Sequence, residues 1–346
     1  MTTRVAIIGD RFMLPSMFED ALVEACGNTI SCDLLEQPWP DEPMEHGYAV
    51  EGMDGLKEYM GTAGEVIGHV SDAPVLVTHL APLSRRIFEA LPNLKLVAVS
   101  RGGPVNIDMA AARDHGVTVV NTPGRNASAV AEFTIGAIIT ETRNITAGHD
   151  ALRKGIYRGD LYRAEIAGDE LSDMTVGVIG YGKVGTRVVK LLRAFGTKVL
   201  VCDPYVQLEP ADAADGVEKV DLGELLERSD VVSLHPRVTD ETRNMMNAET
   251  LRSMKKGAVL VNTARGPLMD YDALHDVLVE GHLRGAMLET FSIEPTPPDW
   301  PLLQLPNVTL TPHIAGASVK TVRIAATKAA EEVRRWLAGE PPLNPC

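Results

Sequence analysis

Three polar residues in the second half of the chain stand just beyond predicted strands, where open parallel sheets bind their ligands. They are Arg265 after residues 258–262, Glu294 after 286–288, and His313 after 308–311. The arginine can hold a carboxylate through its planar fork, and the histidine can give a proton to a carbonyl oxygen as hydride arrives. The glutamate can orient the imidazole and stabilise its charged form. This set of groups suits the reduction of a 2-oxo acid.

Each of the three residues also has an ordinary explanation when it is taken alone. An arginine after a strand is often a solvated surface charge, and Glu294 before a proline is often part of a turn. His313 after a proline can be one half of a capping pair. The residue types alone therefore leave catalysis and a structural role both open.

A second feature, residues 175–203, has the pattern of a nucleotide-binding unit. An apolar run is followed by Gly180, Gly182 and Gly185 in the order G-x-G-x-x-G, then by an amphipathic segment and a second apolar run that ends at Asp203. The glycines permit a tight turn, a close approach to a pyrophosphate, and close packing of helix on strand. Asp203, which lies 18 residues after the third glycine, can bind both ribose hydroxyls and would repel a 2′-phosphate. The block predicts a site for NAD rather than NADP, against the alternative of a purely structural turn.

The elements that must position these residues alternate short strands with helices, which predicts parallel sheets covered by helices. In the first part of the chain the predicted strands are residues 5–9, 29–34, 75–79, 94–99 and 117–120. In the second part they are residues 175–179, 198–202, 231–234, 258–262, 286–288 and 308–311. One long helix is predicted at 126–147, as a domain connector or a core helix, and a closing helix at 318–338.

Composition limits the class of protein. The chain has 346 residues, 45% hydrophobic and 23% charged residues, and a net charge of −14. These values indicate a globular protein with room for two domains, and they disfavour a nucleic-acid partner. Without a run long enough for a membrane helix, and with a start that is more typical of a strand than of a signal peptide, we expect a cytoplasmic protein with no membrane partner. The four cysteines lack C-x-x-C spacing, which predicts reduced thiols and no metal site.

Five stretches carry a resemblance to one protein family. They are NTPGRNASAVAE at 121–132, the glycine block at 175–203, KGAVLVNTARGPLMD at 256–270, GAMLETFSIEP at 285–295, and NVTLTPHIAG at 307–316. In this order they resemble the D-isomer-specific 2-hydroxyacid dehydrogenases, and the similarity runs from about residue 75 to the C-terminus.

The resemblance implies an α/β fold in which a Rossmann NAD-binding domain is inserted in a discontinuous, flavodoxin-like α/β substrate domain. The substrate domain would comprise residues 1–120 and 314–346, and the NAD-binding domain residues 121–313. The family pattern also implies a hinge at the junctions and a homodimer joined through the long helix near Asn126.

The same resemblance implies roles for individual residues. Arg265, Glu294 and His313 would form the active site of an NAD-dependent oxidoreductase that interconverts a small D-2-hydroxy acid and its 2-oxo acid. The residues that would bind NAD are Gly180, Gly182, Lys183, Val184, Gly185, Asp203, Thr263 and Ala264.

The chain departs from the family pattern at Glu289, where the family usually has an aspartate that holds the nicotinamide carboxamide. We expect the contact to survive through a small loop shift, although the extra methylene could also displace the nicotinamide.

A second departure is Arg101, which stands where the family most often has glycine. It precedes Gly102 and Gly103 in the loop that offers N–H groups to the substrate carboxylate. Arg101 could bind an extra oxygen or an acidic group of a polyhydroxylated substrate, or it could point to solvent.

A third departure concerns the phosphoglycerate dehydrogenases, relatives that grip the substrate phosphate with an arginine after the third strand. Here Thr78 and His79 stand in that place, so we predict a substrate other than 3-phosphoglycerate, with His79 as a candidate substrate contact.

Two other interpretations of the chain are an NADH-sensing dimer like the family's corepressors, and a formate dehydrogenase. The second fits poorly because those enzymes pair the histidine with glutamine, where this chain has Glu294. Which 2-oxo acid is the substrate stays open.

Overall fold

The computed structural model describes residues 2–39, 53 and 55–346. The chain divides into two compact units, unit 1 (Met1–Asn126 with Ala317–Cys346) and unit 2 (Ala127–Gly316). The predicted domain boundaries at residues 120 and 313 therefore fall six and three residues before the observed divisions at 126 and 316.

Unit 1 contains a sheet of five parallel strands. They are β1 (Thr3–Asp10), β2 (Ile30–Gln37), β3 (Val75–Thr78), β4 (Leu96–Val99) and β5 (Thr118–Asn121). Their order in the sheet is β2-β1-β3-β4-β5, which is the flavodoxin-like order. The direction of winding reverses between β1 and β3, so the carboxyl ends of these two strands flank a topological switch point, where ligands bind in such folds. All five strands predicted for this part are confirmed, with ends within three residues of those observed.

The first four helices belong to unit 1. They are α1 (Pro15–Cys26), α2 (Ala63–Val70), α3 (Arg85–Ala90) and α4 (Met109–Asp114). Thr62 and Glu65 form a capping box at the start of α2, because each side chain accepts from the backbone N–H of the other residue. This exchange satisfies two of the N–H groups that a helix start leaves without partners.

Unit 2 contains a sheet of seven parallel strands. They are β6 (Thr175–Ile179), β7 (Lys198–Cys202), β8 (Glu218–Lys219), β9 (Val231–Leu234), β10 (Val259–Asn262), β11 (Gly285–Leu288) and β12 (Val308–Leu310). Their order, β12-β11-β10-β9-β6-β7-β8, is the Rossmann order with one further strand. The winding reverses between β6 and β9, so the glycine block opens at the switch point of this sheet. The predicted fold class is confirmed.

Unit 2 contains seven α-helices in the described residues. They are α5 (Ala127–Thr142), α6 (Ile145–Arg153), α7 (Gly185–Ala194), α8 (Pro210–Ala214), α9 (Leu222–Arg228), α10 (Ala248–Ser253) and α11 (Tyr271–Val279). Half of the α5 residues are buried, whereas α6 has no buried residue.

The prediction of a single helix at 126–147 is wrong, because the chain breaks between α5 and α6. Asn144 adopts a left-handed backbone conformation with φ of 55°, which asparagine tolerates better than most residues. Its side-chain amide donates to the carbonyl of Ile166 at 3.1 Å and accepts from Arg284 at 3.0 Å. These contacts hold Asn144 in the conformation that separates α5 from α6.

The chain then completes unit 1 with α12 (Val319–Leu337), which confirms the predicted closing helix. The Ser318 hydroxyl caps its start by accepting from the Thr321 N–H at 3.0 Å. One apolar face of α12 packs into the core of unit 1 with β1, β3 and α1; its buried residues there are Val322, Ala325, Ala326, Ala329, Ala330 and Val333. The backbone N–H of Cys346 donates to Val119 in β5 at 3.0 Å.

Candidate active site

The glycine loop follows β6 and depends on the lack of side chains. Gly180 has φ of 90°, and a Cβ there would lie 2.7 Å from the backbone nitrogen of Pro236. A Cβ on Gly185 would lie 2.0 Å from the carbonyl oxygen of Gly180. Both distances are far inside van der Waals contact, so the turn and the close start of α7 require glycine at these positions.

The same loop fits a bound pyrophosphate. Among the described residues nothing lies within 4 Å of the place where a Cβ on Gly182 would be, so an anion can approach the backbone before the first turn of α7. Lys183 is exposed beside it, and Val184 packs partly against the core of unit 2.

Asp203 stands directly after β7, as the dinucleotide pattern requires. Its two carboxylate oxygens accept backbone N–H groups from Tyr181 at 2.8 Å, Tyr205 at 2.9 Å and Val206 at 3.0 Å. These bonds hold the carboxylate at the end of the strand. A carboxylate has about four lone-pair sites, so Asp203 retains acceptor capacity for a ribose hydroxyl.

Arg265, Glu294 and His313 follow β10, β11 and β12, which are consecutive neighbours in the parallel sheet. The three residues therefore emerge at the same edge of unit 2, as the strand pattern predicted. Glu294 and His313 are in direct contact, with 2.8 Å between glutamate Oε2 and imidazole Nδ1. The other carboxylate oxygen accepts the Phe291 N–H at 2.7 Å.

The surroundings of the pair determine which ring nitrogen faces outward. Nδ1 donates its proton to Glu294, a tautomer assigned from this hydrogen bond, and Nε2 makes no hydrogen bond within the described residues. The glutamate side chain is 16% exposed and the histidine side chain 37% exposed. His313 also has a positive φ of 55°, and its N–H donates to the Glu289 carbonyl at 3.0 Å. The carboxylate is thus sheltered while Nε2 stays accessible.

Arg265 is exposed, and its guanidinium donates to the neighbouring Ala264 carbonyl at 2.7 Å. In the described part of the chain it makes no hydrogen bond or ion pair with Glu294 or His313. The N–H of Ala264 donates to the Asn262 side chain at 3.0 Å, which shapes the loop before Arg265. The Thr263 hydroxyl is buried and lies 2.8 Å from that of Thr134.

Glu289 is buried, and it organises the loop that carries the histidine. Its carboxylate accepts the Ala315 N–H at 2.7 Å, and its carbonyl accepts the His313 N–H at 3.0 Å. Burial raises the pKa of the Glu289 carboxyl to about 7, with the nearby His313 opposing the rise. The Glu289 carboxylate therefore binds the backbone of the histidine loop, and a contact with nicotinamide stays a prediction.

In unit 1, Arg101 neither stands free of partners nor points to solvent. Its side chain is 13% exposed, and its guanidinium donates to the Glu58 carbonyl at 2.9 Å and to the Glu58 carboxylate. Gly102 and Gly103 after it are exposed, and the Gly102 carbonyl accepts from the Asn121 amide at 3.1 Å. The roles of these three residues in substrate binding stay predictions.

His79 is buried at the carboxyl end of β3 and belongs to a cluster that the sequence did not reveal. Its Nδ1 lies 2.6 Å from the Asp10 carboxylate, and its Nε2 lies 3.3 Å from the Arg125 guanidinium. Asp10 could have been noticed because it ends β1, the strand next to β3. Arg125 gave no such signal, because it follows a turn after β5.

Comparison with known proteins gives consistent matches. A family model described as "D-isomer specific 2-hydroxyacid dehydrogenase, NAD binding domain" matches residues 135–315. A glyoxylate reductase from Thermofilum pendens is 37% identical over 287 residues, which cover 83% of this chain and 85% of that protein. A D-3-phosphoglycerate dehydrogenase from Methanocaldococcus jannaschii is 39% identical over 281 residues, covering 81% of this chain and 52% of that longer protein.

Solved structures agree with the sequence matches. The structure of a D-2-hydroxyisocaproate dehydrogenase superposes with a TM-score of 0.82 at 25% identity, covering 99% of both chains.

In the described residues, no helix combines the length and the apolar character needed to cross a membrane.

Proposed function

The chain belongs to the D-isomer-specific 2-hydroxyacid dehydrogenase family, and on that premise we propose that it interconverts a small D-2-hydroxy acid and its 2-oxo acid, with His313 as general acid and base. It is an NAD-dependent D-2-hydroxyacid dehydrogenase. The observation that carries the proposed mechanism is the hydrogen bond of 2.8 Å between Glu294 and His313, which leaves Nε2 accessible.

The proposed proton transfer takes place at His313 Nε2. NAD, when bound, supplies the hydride acceptor or, when reduced, the hydride donor. In the reducing direction Nε2–H gives its proton to the carbonyl oxygen of the substrate, and in the oxidising direction neutral Nε2 takes the proton of the hydroxyl. Glu294 stabilises the charged ring in both directions, because its carboxylate accepts the Nδ1–H throughout.

Arg265 and the glycine loop hold the reactants in this proposal. The Arg265 guanidinium is exposed and has donors beyond the one that contacts Ala264, so its fork can bind the substrate carboxylate through two parallel hydrogen bonds. The open backbone at Gly182 and the fixed carboxylate of Asp203 would hold the pyrophosphate and the adenosine ribose, in keeping with NAD rather than NADP.

The test is NADH oxidation by the purified protein, followed by absorbance, with a panel of 2-oxo acids. The panel runs from glyoxylate through hydroxypyruvate to longer sugar-derived 2-oxo acids, and NADPH is assayed in parallel. Turnover of one member with NADH, at a much higher kcat/KM than with NADPH, is the expected result. Tight NADH binding without turnover of any member would contradict the proposal and favour an NADH-sensing protein.

We further propose that the protein is a homodimer, joined through the exposed apolar residues on and after α6. These are Ile145, Leu152, Ile156, Tyr157 and Tyr162. Clustered apolar side chains at a surface are typical of protein interfaces. The family resemblance implied a dimer contact on one long helix near Asn126. Of these exposed residues, only Ile145 lies within the predicted helix at 126–147, and the other four follow it.

Light scattering after size exclusion tests the dimer. The wild-type protein is expected at twice the chain mass, and Leu152→Asp is expected to shift it toward the monomer. Val279→Asp on α11 is the matched control, because Val279 is also exposed but lies outside this surface. A monomeric wild type, or equal effects of both variants, would contradict the proposed interface. The cytoplasmic location and the lack of a nucleic-acid partner stay predictions.

A further inference from the structure

The loop that carries His313 has a strained backbone. His313 adopts a left-handed conformation with φ of 55°, which is costly for a residue with a side chain and persists only where surrounding contacts enforce it. The next residue gives little cover to the loop, because Ile314 is 46% exposed. The position of the imidazole therefore depends on the contacts that hold this backbone.

Glu289 supplies two of these contacts, one from its main chain and one from its side chain. Its carbonyl accepts the His313 N–H at 3.0 Å, and its carboxylate accepts the Ala315 N–H at 2.7 Å. The Thr311 carbonyl shares the first N–H, also at 3.0 Å. Within the described residues the Ala315 N–H has no other acceptor, so the far side of the loop is held by the Glu289 side chain.

Glu289 is itself held firmly at the end of β11. Its N–H donates to the carbonyl of Asn262, the last residue of β10, at 3.0 Å, and its side chain is part of a residue only 1% exposed. The Asn262 amide in turn donates to the Arg265 carbonyl at 3.0 Å. The contacts to the histidine loop thus start from a strand end, which positions a group more precisely than a loop does.

The contact with Ala315 does not depend on the charge of the carboxyl. Burial raises the pKa of the Glu289 carboxyl to about 7, His313 opposing the rise and Glu294 adding to it. These two are the titratable groups that act on it from the loops packed against it. A carboxyl has an acceptor oxygen in its protonated and in its charged form, so either form can hold the Ala315 N–H.

We propose that Glu289 is a positioning residue for proton transfer, which holds the backbone on both sides of Ile314 and so presents His313 Nε2. The reach of the side chain is essential, because an aspartate carboxylate would end about 1.5 Å, one C–C bond, short of the Ala315 N–H. The inference rests on the proposed function, since it concerns proton transfer at His313. It gives Glu289 a task separate from the nicotinamide contact that the family pattern predicts.

Two variants separate these tasks. Glu289→Asp keeps the carboxylate but loses the reach, whereas Glu289→Gln keeps the reach and an acceptor oxygen. We expect kcat to fall about 10- to 100-fold in Glu289→Asp, because misplacing a catalytic group by about 1 Å costs this much rate, while Glu289→Gln keeps most of it. Fluorescence titration is expected to show wild-type NADH affinity in Glu289→Asp. The opposite order of kcat, or an effect confined to NADH affinity, would overturn the inference.

Hydrogen exchange tests the hold on the loop without turnover. Peptides that cover residues 311–318 of the protein without cofactor are followed by mass spectrometry. Glu289→Asp is expected to exchange about 10-fold faster in this loop, because the Ala315 N–H loses its acceptor, and Glu289→Gln is expected to stay protected. Peptides from β6 report whether unit 2 remains folded. Wild-type exchange of the loop in Glu289→Asp would overturn the inference even if kcat fell.

Glu227→Asp is the matched control, because Glu227 is an exposed glutamate on α9 of the same unit, and it is expected to keep the wild-type kcat and exchange. If Glu289→Asp does not fold, Glu289→Gln decides: a large loss of kcat with the loop still protected would overturn the inference, because the charge and not the contact would then matter. A wild type that reduces no 2-oxo acid would contradict the proposed function, whereas hydrogen exchange would still decide whether Glu289 holds the loop.

Discussion

Among the described residues, each unit has a carboxylate–imidazole pair at the carboxyl ends of neighbouring parallel strands, and the two pairs have similar oxygen–nitrogen distances. The oxygen–Nδ1 distance is 2.6 Å for Asp10 and His79, and 2.8 Å for Glu294 and His313. They differ at the second ring nitrogen. Nε2 of His79 accepts from Arg125, whereas Nε2 of His313 has no partner in the described part of the chain. The His79 side chain is 6% exposed and that of His313 is 37% exposed.

The comparison teaches that a carboxylate–histidine pair does not by itself indicate proton transfer. A catalytic imidazole must bring a nitrogen to a substrate and change its charge during the reaction. His313 has an accessible Nε2, and its Nδ1–H donates to the Glu294 carboxylate, as expected for a general acid. His79 is buried, and both of its ring nitrogens have hydrogen-bond partners. Its ring can therefore hold the Arg125 guanidinium in place, but it has no nitrogen available for a substrate proton.

Replacing the accessible histidine is the largest expected effect. His313→Gln removes the proton donor and is expected to lower kcat about 10²- to 10⁴-fold, with little change in NADH affinity. His79→Gln is the matched comparison: its amide can still accept from Arg125 and donate to Asp10, so its kcat is expected to fall far less. Steady-state kinetics and NADH fluorescence measure both. Near-normal turnover of the His313 variant would refute the assignment of the general acid.

The second effect tests the carboxylate behind His313. Glu294 accepts two N–H groups, from Phe291 and from His313, but a glutamine presents only one acceptor oxygen. Glu294→Gln therefore leaves one N–H facing an amide nitrogen and removes the charge that stabilises the imidazolium. We expect kcat to fall about 10- to 100-fold and KM for NADH to stay unchanged. This loss is smaller than the one seen when the buried aspartate of a Ser-His-Asp triad is replaced. An increase in KM with an unchanged kcat would assign Glu294 to binding instead.

The third effect concerns stability in unit 1. Asp10→Asn leaves an amide N–H₂ opposite His79 Nδ1–H, and the opposite ring tautomer would direct Nε2–H at Arg125. Either way a buried donor loses its acceptor, which is expected to lower the free energy of unfolding by about 1–3 kcal/mol. Urea unfolding followed by tryptophan fluorescence measures it. Asp20→Asn, on the exposed side of α1, is the control; equal stability of the two variants would mean that the buried pair is not stabilising.

The smallest expected effect is on the pH dependence of stability. The pKa of His79 is lowered by burial despite the adjacent Asp10, with Arg125 also lowering it. The unfolded chain therefore binds this proton more readily, so stability is unaffected above the unfolded pKa of about 6.5 and declines as pH falls below it. His79→Gln is expected to lose less stability than the wild type between about pH 7.5 and about pH 5. Identical losses would show that His79 protonates without cost.

The strands, the glycine block and the alignment of Arg265, Glu294 and His313 at one sheet edge were predictable, because each depends on local patterns. Short continuous apolar runs are typical of buried strands, so they show where each strand ends. Parallel pairing then brings the carboxyl ends of the strands together. The break at Asn144 was not predictable, because it depends on Arg284, which is distant in sequence.

The cluster around His79 shows the same limit. Asp10 ends β1, whereas His79 and Arg125 lie in the loops after β3 and β5, and the contact between Asp10 and His79 depends on the strand order, which puts β1 beside β3. The family resemblance indicated that Glu289 stands where an aspartate is usual, but not that its carboxylate binds the Ala315 N–H. Pair contacts across loops are tertiary properties that residue spacing does not encode.

The place of α12 in the chain has a consequence for synthesis on the ribosome. Unit 2 is continuous, so its residues are complete once position 316 has emerged. Unit 1 lacks part of its core until Val322 to Val333 of α12 follow. Because domains generally fold as units during synthesis, the second unit is expected to fold first, while the earlier residues wait with the apolar side of β1 and β3 uncovered and exposed to chaperones.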